Sequence, residues 1–214
     1  MTVAMKFCGL TRPEDAAMAR ELGAGYGGVI FAGGPREVTP ARGAEVLDAA
    51  PGLRRVGVFG ARAPREIAAA ARAARLDVVQ LHGDPSAEDV SRVRAETGCE
   101  LWAVVRVPGG ELPAAYDELR DAADAIVLDA KVAGRLGGTG ATFDWRAVAD
   151  ALRARRHAAR LVLAGGLHPG NVAEAIAWLA PAVVDVSSGV ERAPGIKDHV
   201  RMRAFVDAVR GAVA

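Results

Sequence analysis

The sequence predicts an α/β protein, a (β/α)8 TIM barrel, on three observations. Short apolar runs of strand length recur eight times along the 214 residues. Amphipathic stretches with apolar residues at helical spacing separate them. The units repeat at intervals of roughly 22 to 35 residues, as expected for parallel strands joined by crossover helices. Eight such units in a chain of this length fit a compact closed barrel. A doubly wound open sheet would use the same alternation, but no G-x-G-x-x-G follows the first strand, and the count favours closure.

In order, the strand-like runs are MKFCGL, YGGVIF, RVGVFG, VVQLHG, LWAVVRV, AIVLDA, RLVLAGG and AVVDVSSG. Helical patterns between them include PEDAAMARELG, PREIAAAARAA, SAEDVSRVRAE, ATFDWRAVADALRARR, GNVAEAIAWLA and DHVRMRAFVDAVRGA. Thr11 with Glu14 three residues on reads as a capping box, which places the first helix start just after Cys8. No Pro/Gly-rich linker or low-complexity stretch divides the chain, so a single barrel domain over 1–214 is expected.

Composition narrows the partners. Half the residues are apolar (51%), enough for a large core, and the net charge of +1 offers no attraction for nucleic acid or an anionic membrane. Cys8 and Cys99 lack the spacing of a disulfide framework or a zinc site, and fit a reducing compartment. No apolar run approaches the roughly 20 residues of a membrane span. Lys6 interrupts the apolar start that a signal peptide needs. The expectation is a cytoplasmic protein whose partner is a small molecule, with no nucleic acid and no membrane, as a monomer or a homodimer.

Strand parity then selects the polar residues that face the barrel axis. Alternate residues point inward, and the last of them reach the C-terminal rim, where barrels of this class place their chemistry. Met5 and Phe7 must face the helices, which turns Lys6 and Cys8 inward. By the same rule Gln80 and His82, Val127 and Asp129, and Asp185 and Ser187 face the axis. Taken singly, a strand cysteine is usually packing, a strand-end histidine a satisfied polar group, and a strand-end aspartate a loop cap. A thiol, an imidazole and carboxylates at one mouth are instead the makings of an active site. Cys99, in the turn TGCEL at the opposite face, reads as structural.

The seventh strand runs into Gly165 and Gly166, and the eighth into Ser187 and Ser188. Glycines let the backbone approach an anion, and loops after strands seven and eight are the habitual phosphate position of such barrels. A phosphorylated substrate is expected there, with Gly137-Gly138-Thr139-Gly140 as a further candidate to close over it.

These motifs together resemble a known family. KFCGLTR, the Pro35-Arg36 loop, VGVF, VQLHG, VLDA with GGTGATFDW, LAGGLHPGNV and VDVSSGVE followed by PGIKD are similar to phosphoribosylanthranilate isomerase, in order and over essentially the whole chain. The resemblance implies an Amadori rearrangement in tryptophan biosynthesis: N-(5-phosphoribosyl)anthranilate becomes 1-(2-carboxyphenylamino)-1-deoxyribulose 5-phosphate. It implies Cys8 as general base, Asp129 as general acid, Arg36 as the anthranilate carboxylate's partner, and Gly165, Gly166, Ser187 and Ser188 at the phosphate. No metal and no cofactor are implied. His82 lines the mouth, either touching substrate or supporting Asp129 or Cys8. The Arg36 loop, FAGGPRE, departs from the family in its extra glycines, so a more mobile loop and a carboxylate recognition that differs in detail are expected.

That chemistry sets two expectations. Asp129 must hold a proton near neutrality, so a desolvated mouth should raise its pKa. Cys8 must lose one, so its pKa should fall below the ordinary value of about 8.5, helped by the helix start near Thr11. Two rival readings bear on the same residues. A dual-substrate sugar-phosphate isomerase would carry an aspartate in place of Cys8 and a second phosphate loop at Val58-Phe59-Gly60-Ala61. A catalytically silent sugar-phosphate-binding barrel would have no need of both Cys8 and Asp129.

Overall fold

The computed structural model describes residues 2–130, 143–155 and 160–213. Its eight main strands are β1 (Ala4–Phe7), β2 (Tyr26–Ile30), β3 (Arg54–Phe59), β4 (Val78–Leu81), β5 (Glu100–Val107), β6 (Ala125–Ala130), β7 (Arg160–Leu163) and β8 (Val183–Val186). All pair in parallel with their sequence neighbours, and β8 pairs with β1, so the sheet closes into the expected (β/α)8 barrel. Each strand falls on one of the eight apolar runs.

Helices α1 (Pro13–Glu21), α2 (Pro40–Asp48), α3 (Pro64–Ala74), α4 (Ala87–Glu96), α5 (Ala115–Ala122), α6 (Trp145–Arg155), α7 (Val172–Leu179) and α8 (His199–Val213) alternate with the strands. Proline at the first turn starts α1, α2 and α3, where its missing N–H and fixed φ cost nothing. The one complete capping box among the described residues is at α4, where Ser86 and Asp89 exchange bonds.

The box expected at Thr11 and Glu14 does not form. Pro13 sets the first helical position, so Arg12 is the cap, and Thr11 lies one residue too early. The Thr11 hydroxyl donates instead to the Gly195 carbonyl at 2.5 Å, tying the first βα loop to a hairpin near the C-terminus. That hairpin is β9 (Glu191–Ala193) and β10 (Ile196–Lys197), which follow a 3-10 turn at Ser188–Val190.

Two apolar clusters hold the barrel. Outside, strand residues such as Phe7, Val29 and Leu128 pack under the helices. Inside, Tyr26, Val56, Val78, Trp102, Val127 and Val162 fill the lower half, with Tyr26 edge-on to Trp102 at 5.1 Å. Trp102 is fully buried, so truncation to alanine would leave a void and cost ~3–5 kcal/mol. Above this plug the interior becomes polar: Lys6, Gln80 and Asp185 are all buried. The apolar residues close one end of the barrel and leave the other for the chemistry.

Candidate active site

A cavity of about 620 Å³ opens at the C-terminal ends of the strands, within the size range of small-ligand sites. The residues given proton-transfer, carboxylate and phosphate roles, and His82, line it: Cys8, Arg36, His82, Asp129, Gly165, Gly166, Ser187 and Ser188. Gln80 and Asp185 join them from the inward-facing set. The stretch Gly137–Gly140 lies outside the described residues.

Cys8 follows the end of β1 and extends its ladder, its amide donating to the Val186 carbonyl at 2.9 Å. Asp129 is the penultimate residue of β6, in register with Arg106 of β5. β7 and β8 stand between β6 and β1 on one side of the ring, and four strands on the other, so the two groups reach the same mouth from separate parts of its rim. Gly165 makes Asp129's position possible. A Cβ there would lie 2.6 Å from Asp129 Oδ1 and 2.5 Å from the Ala130 amide nitrogen, and its φ of +83° suits glycine.

The electrostatics separate the two groups. Desolvation, then the charge of Asp185, pushes the Asp129 carboxyl up to about 6, while Arg106 and Lys6 restrain it. That agrees with the expected direction. Burial, then Arg106 and Lys6, lowers His82 to about 4, so its ring is neutral near pH 7. His82 Nε2 lies 3.6 Å from Asp129 Oδ2, so the pair is a contact between neighbours and not an ion pair. His82 Nδ1 and Asp185 Oδ1 are buried with no hydrogen-bond partner among the described residues.

Cys8 departs from expectation. Its pKa is raised, not lowered, because burial outweighs the pull of Lys6, and Asp185 adds to the rise. α1 does begin just after Thr11, at Pro13, yet burial remains the largest effect on the thiol. Cations do act on Cys8, but they come from below and behind. Lys6 is one, and Lys197 is the other.

Lys6 Nζ donates to Asp185 Oδ2 at 2.6 Å and to Gln80 Oε1 at 3.0 Å. Burial alone would lower its pKa; Asp185 and then Cys8 reverse the shift and keep the amine charged. Arg36 also has a partner in the chain itself. Its Nε and Nη2 donate to Glu191, with Nη2–Oε2 at 2.6 Å. Glu191 and Lys197 lie in the quoted motifs, yet parity and periodicity assign them nothing, since they sit on a hairpin outside the barrel strands. The legible signal is opposite charges flanking the tight turn Pro194-Gly195.

Residues 5–208 match the family model described as N-(5'phosphoribosyl)anthranilate (PRA) isomerase. The chain belongs to the phosphoribosylanthranilate isomerase family. A relative so named from Paramagnetospirillum magneticum is 42% identical, over 99% of both chains. A crystal structure of monomers generated from the dimeric phosphoribosylanthranilate isomerase of Thermotoga maritima is 34% identical, with TM-score 0.81, covering 98% of this chain and 100% of that one. A further family structure, 32% identical with TM-score 0.82 and the same coverage, is in complex with reduced 1-(o-carboxyphenylamino)-1-deoxyribulose 5-phosphate. Phosphoribosylanthranilate isomerases are therefore what both the sequence and the shape of this barrel resemble.

Proposed function

We propose that this protein performs the family's isomerisation, a step of tryptophan biosynthesis: N-(5-phosphoribosyl)anthranilate to 1-(2-carboxyphenylamino)-1-deoxyribulose 5-phosphate. The observation that carries the reading is the placement of Cys8 and Asp129, at the ends of two non-adjacent strands, in one cavity that Arg36 and the two phosphate-type loops also line.

In this reading Asp129, protonated in part near pH 6, delivers its proton to the ribose ring oxygen. The C1–oxygen bond breaks as the anthranilate nitrogen's lone pair forms a C1=N bond. Cys8, from the other side, takes the proton on C2, and that electron pair forms C1=C2 while the iminium nitrogen is neutralised. Proton transfer from the C2 hydroxyl to C1 then gives the ketone and the secondary amine. Gly165, Gly166, Ser187 and Ser188 receive the phosphate, and Arg36 the ring carboxylate. His82, neutral and beside Asp129, lines the substrate's path. No metal or organic cofactor enters any step.

The raised thiol pKa is compatible with this role. A weakly acidic thiol is a stronger base once ionised, and Lys6 and Lys197 both favour the thiolate against burial. The reading takes 1–214 as one barrel domain, a monomer or a homodimer, in the cytoplasm, where two free cysteines would stay reduced. Turnover by Cys8→Ala and Asp129→Asn tests it. Each is expected to lose at least about a hundredfold in kcat while still binding a reduced product. An undiminished rate in either variant would end the mechanism. Binding of the reduced product by the parent protein with no turnover of substrate would favour the silent sugar-phosphate barrel.

A further inference from the structure

The hairpin that carries PGIKD supplies no acid, base or substrate contact in the mechanism, yet it reaches Cys8, Ser187 and Arg36. Lys197 is fully enclosed and donates to three acceptors: the Cys8 carbonyl at 2.6 Å, the Ser187 carbonyl at 3.1 Å and Glu191 Oε1 at 2.8 Å. A neutral amine has only two N–H groups, so three acceptors call for the ammonium. Glu191 in turn accepts from Lys197, from Arg36 Nε and Nη2, and from the Gly195 amide at 3.3 Å. The hairpin itself is pinned by Thr11 on Gly195, by Arg201 on the Glu191 carbonyl, and by Asp15 on the Lys197 amide.

We propose that Glu191, held by Lys197, is the positioning residue that aims Arg36 at the substrate's ring carboxylate. Glu191 occupies the Nε–Nη2 edge of the guanidinium, and among the described residues no hydrogen bond engages Nη1. One edge of the fork is thus clamped to the protein, and the Nη1 side remains for a ligand in the cavity that Arg36 lines. Charge counting agrees. Two cations share one carboxylate, so a positive charge is left over for an incoming anion. The Arg36 stem is also confined by Gly9, where a Cβ would stand 2.7 Å from Arg36 Cδ. This clamp answers the mobility expected of a glycine-rich FAGGPRE loop: the loop need not be stiff if the guanidinium is anchored by the hairpin that follows β8.

The inference rests on the reading of Arg36 as carboxylate receptor, so the experiment separates the two. Two probes are titrated calorimetrically: the reduced product, in which the C2 ketone is an alcohol, and the same compound without its ring carboxyl. Arg36→Met should abolish the preference for the carboxylated probe. Glu191→Gln should weaken the carboxylated probe roughly tenfold, the factor for ~1.4 kcal/mol of lost preorganisation, and change the other less than about twofold. Glu191→Asp, which keeps the charge but shortens the reach, should fall between and serves if the glutamine variant does not fold. An intact preference in Arg36→Met would overturn the receptor reading and this inference with it. A lost preference there, with equal loss of both probes, no loss, or tighter carboxylate binding in the Glu191 variants, would overturn the inference alone.

Discussion

Lys6 Nζ lies 2.6 Å from Oδ2 of Asp185, which lines the cavity, an ion pair with the lysine side chain fully enclosed. The two residues sit directly opposite each other in the β1–β8 ladder, so the pairing register itself sets the contact. The pair acts on the mouth through both charges. Lys6 draws the Cys8 thiol down against burial, and Asp185 pushes the Asp129 carboxyl up. A base is made easier to ionise and an acid harder, from one buried dyad.

Removing one partner of such a pair leaves the other charge buried. Lys6→Met should therefore destabilise the protein by ~3–5 kcal/mol, measured by urea unfolding. Lys6→Met together with Asp185→Leu should recover much of that loss, because no uncompensated charge remains. A single variant as stable as the parent would mean the dyad contributes nothing.

The free thiol gives a second test. In a Cys99→Ser background, Cys8 should react with iodoacetamide more slowly at pH 8 than a free cysteine does, with its rate rising only above the ordinary thiol range. Two causes act in the same direction, burial of the sulfur and its raised pKa. A fast reaction with a midpoint near neutrality would contradict both.

The barrel and most of its mouth were legible in the sequence for one physical reason: parity. Along a strand, Phe7 facing the helices forces Lys6 and Cys8 to face the axis, and the same holds for Gln80 with His82 and for Asp185 with Ser187. Loop chemistry was legible wherever glycine marks a close approach, as at Gly165. What escaped depends on tertiary partners. Thr11 has the spacing of a cap, but Pro13 sets the helix start and Gly195 takes the hydroxyl. The direction of the Cys8 shift is a balance of burial against two lysines, one of them 189 residues away. Arg36's tie to Glu191 spans 155 residues and follows no periodicity.

Gly165 supports Asp129 at very close range, which makes its substitution informative. Gly165→Ala should cost about 1–2 kcal/mol for the left-handed backbone alone, and more because Asp129 and the Ala130 backbone must shift. Activity should fall further than stability does, since the displaced group is the proposed acid. Full kcat in a soluble Gly165→Ala protein would show that Asp129's placement tolerates displacement.

Asp129 itself trades stability for function, and pH exposes the trade. Its folded pKa of about 6 stands above the ordinary 3.8, so the folded state binds the proton more tightly than the unfolded chain. Below about pH 4 the carboxyl is neutral in both states and carries no penalty. As pH rises through 6, the unfolded chain ionises freely while the folded protein must place a charge among Asp185 and a desolvated wall. The penalty is then complete, on the order of 3 kcal/mol for a shift from 3.8 to about 6. Asparagine pays nothing at any pH. Asp129→Asn should match the parent's urea midpoint near pH 4 and exceed it progressively up to pH 8, while losing turnover. His82 titrates in part of the same window, with stability present above about 6.5 and lost as pH falls through about 4. It does so in both proteins, so its contribution largely cancels in the difference. Arg106 and Lys6 favour the ionised form, and the value of about 6 is what remains after their pull. A stability difference that stays flat from pH 4 to pH 8 would show that Asp129 ionises at an ordinary pKa, and that the mouth does not hold the proton the isomerisation needs.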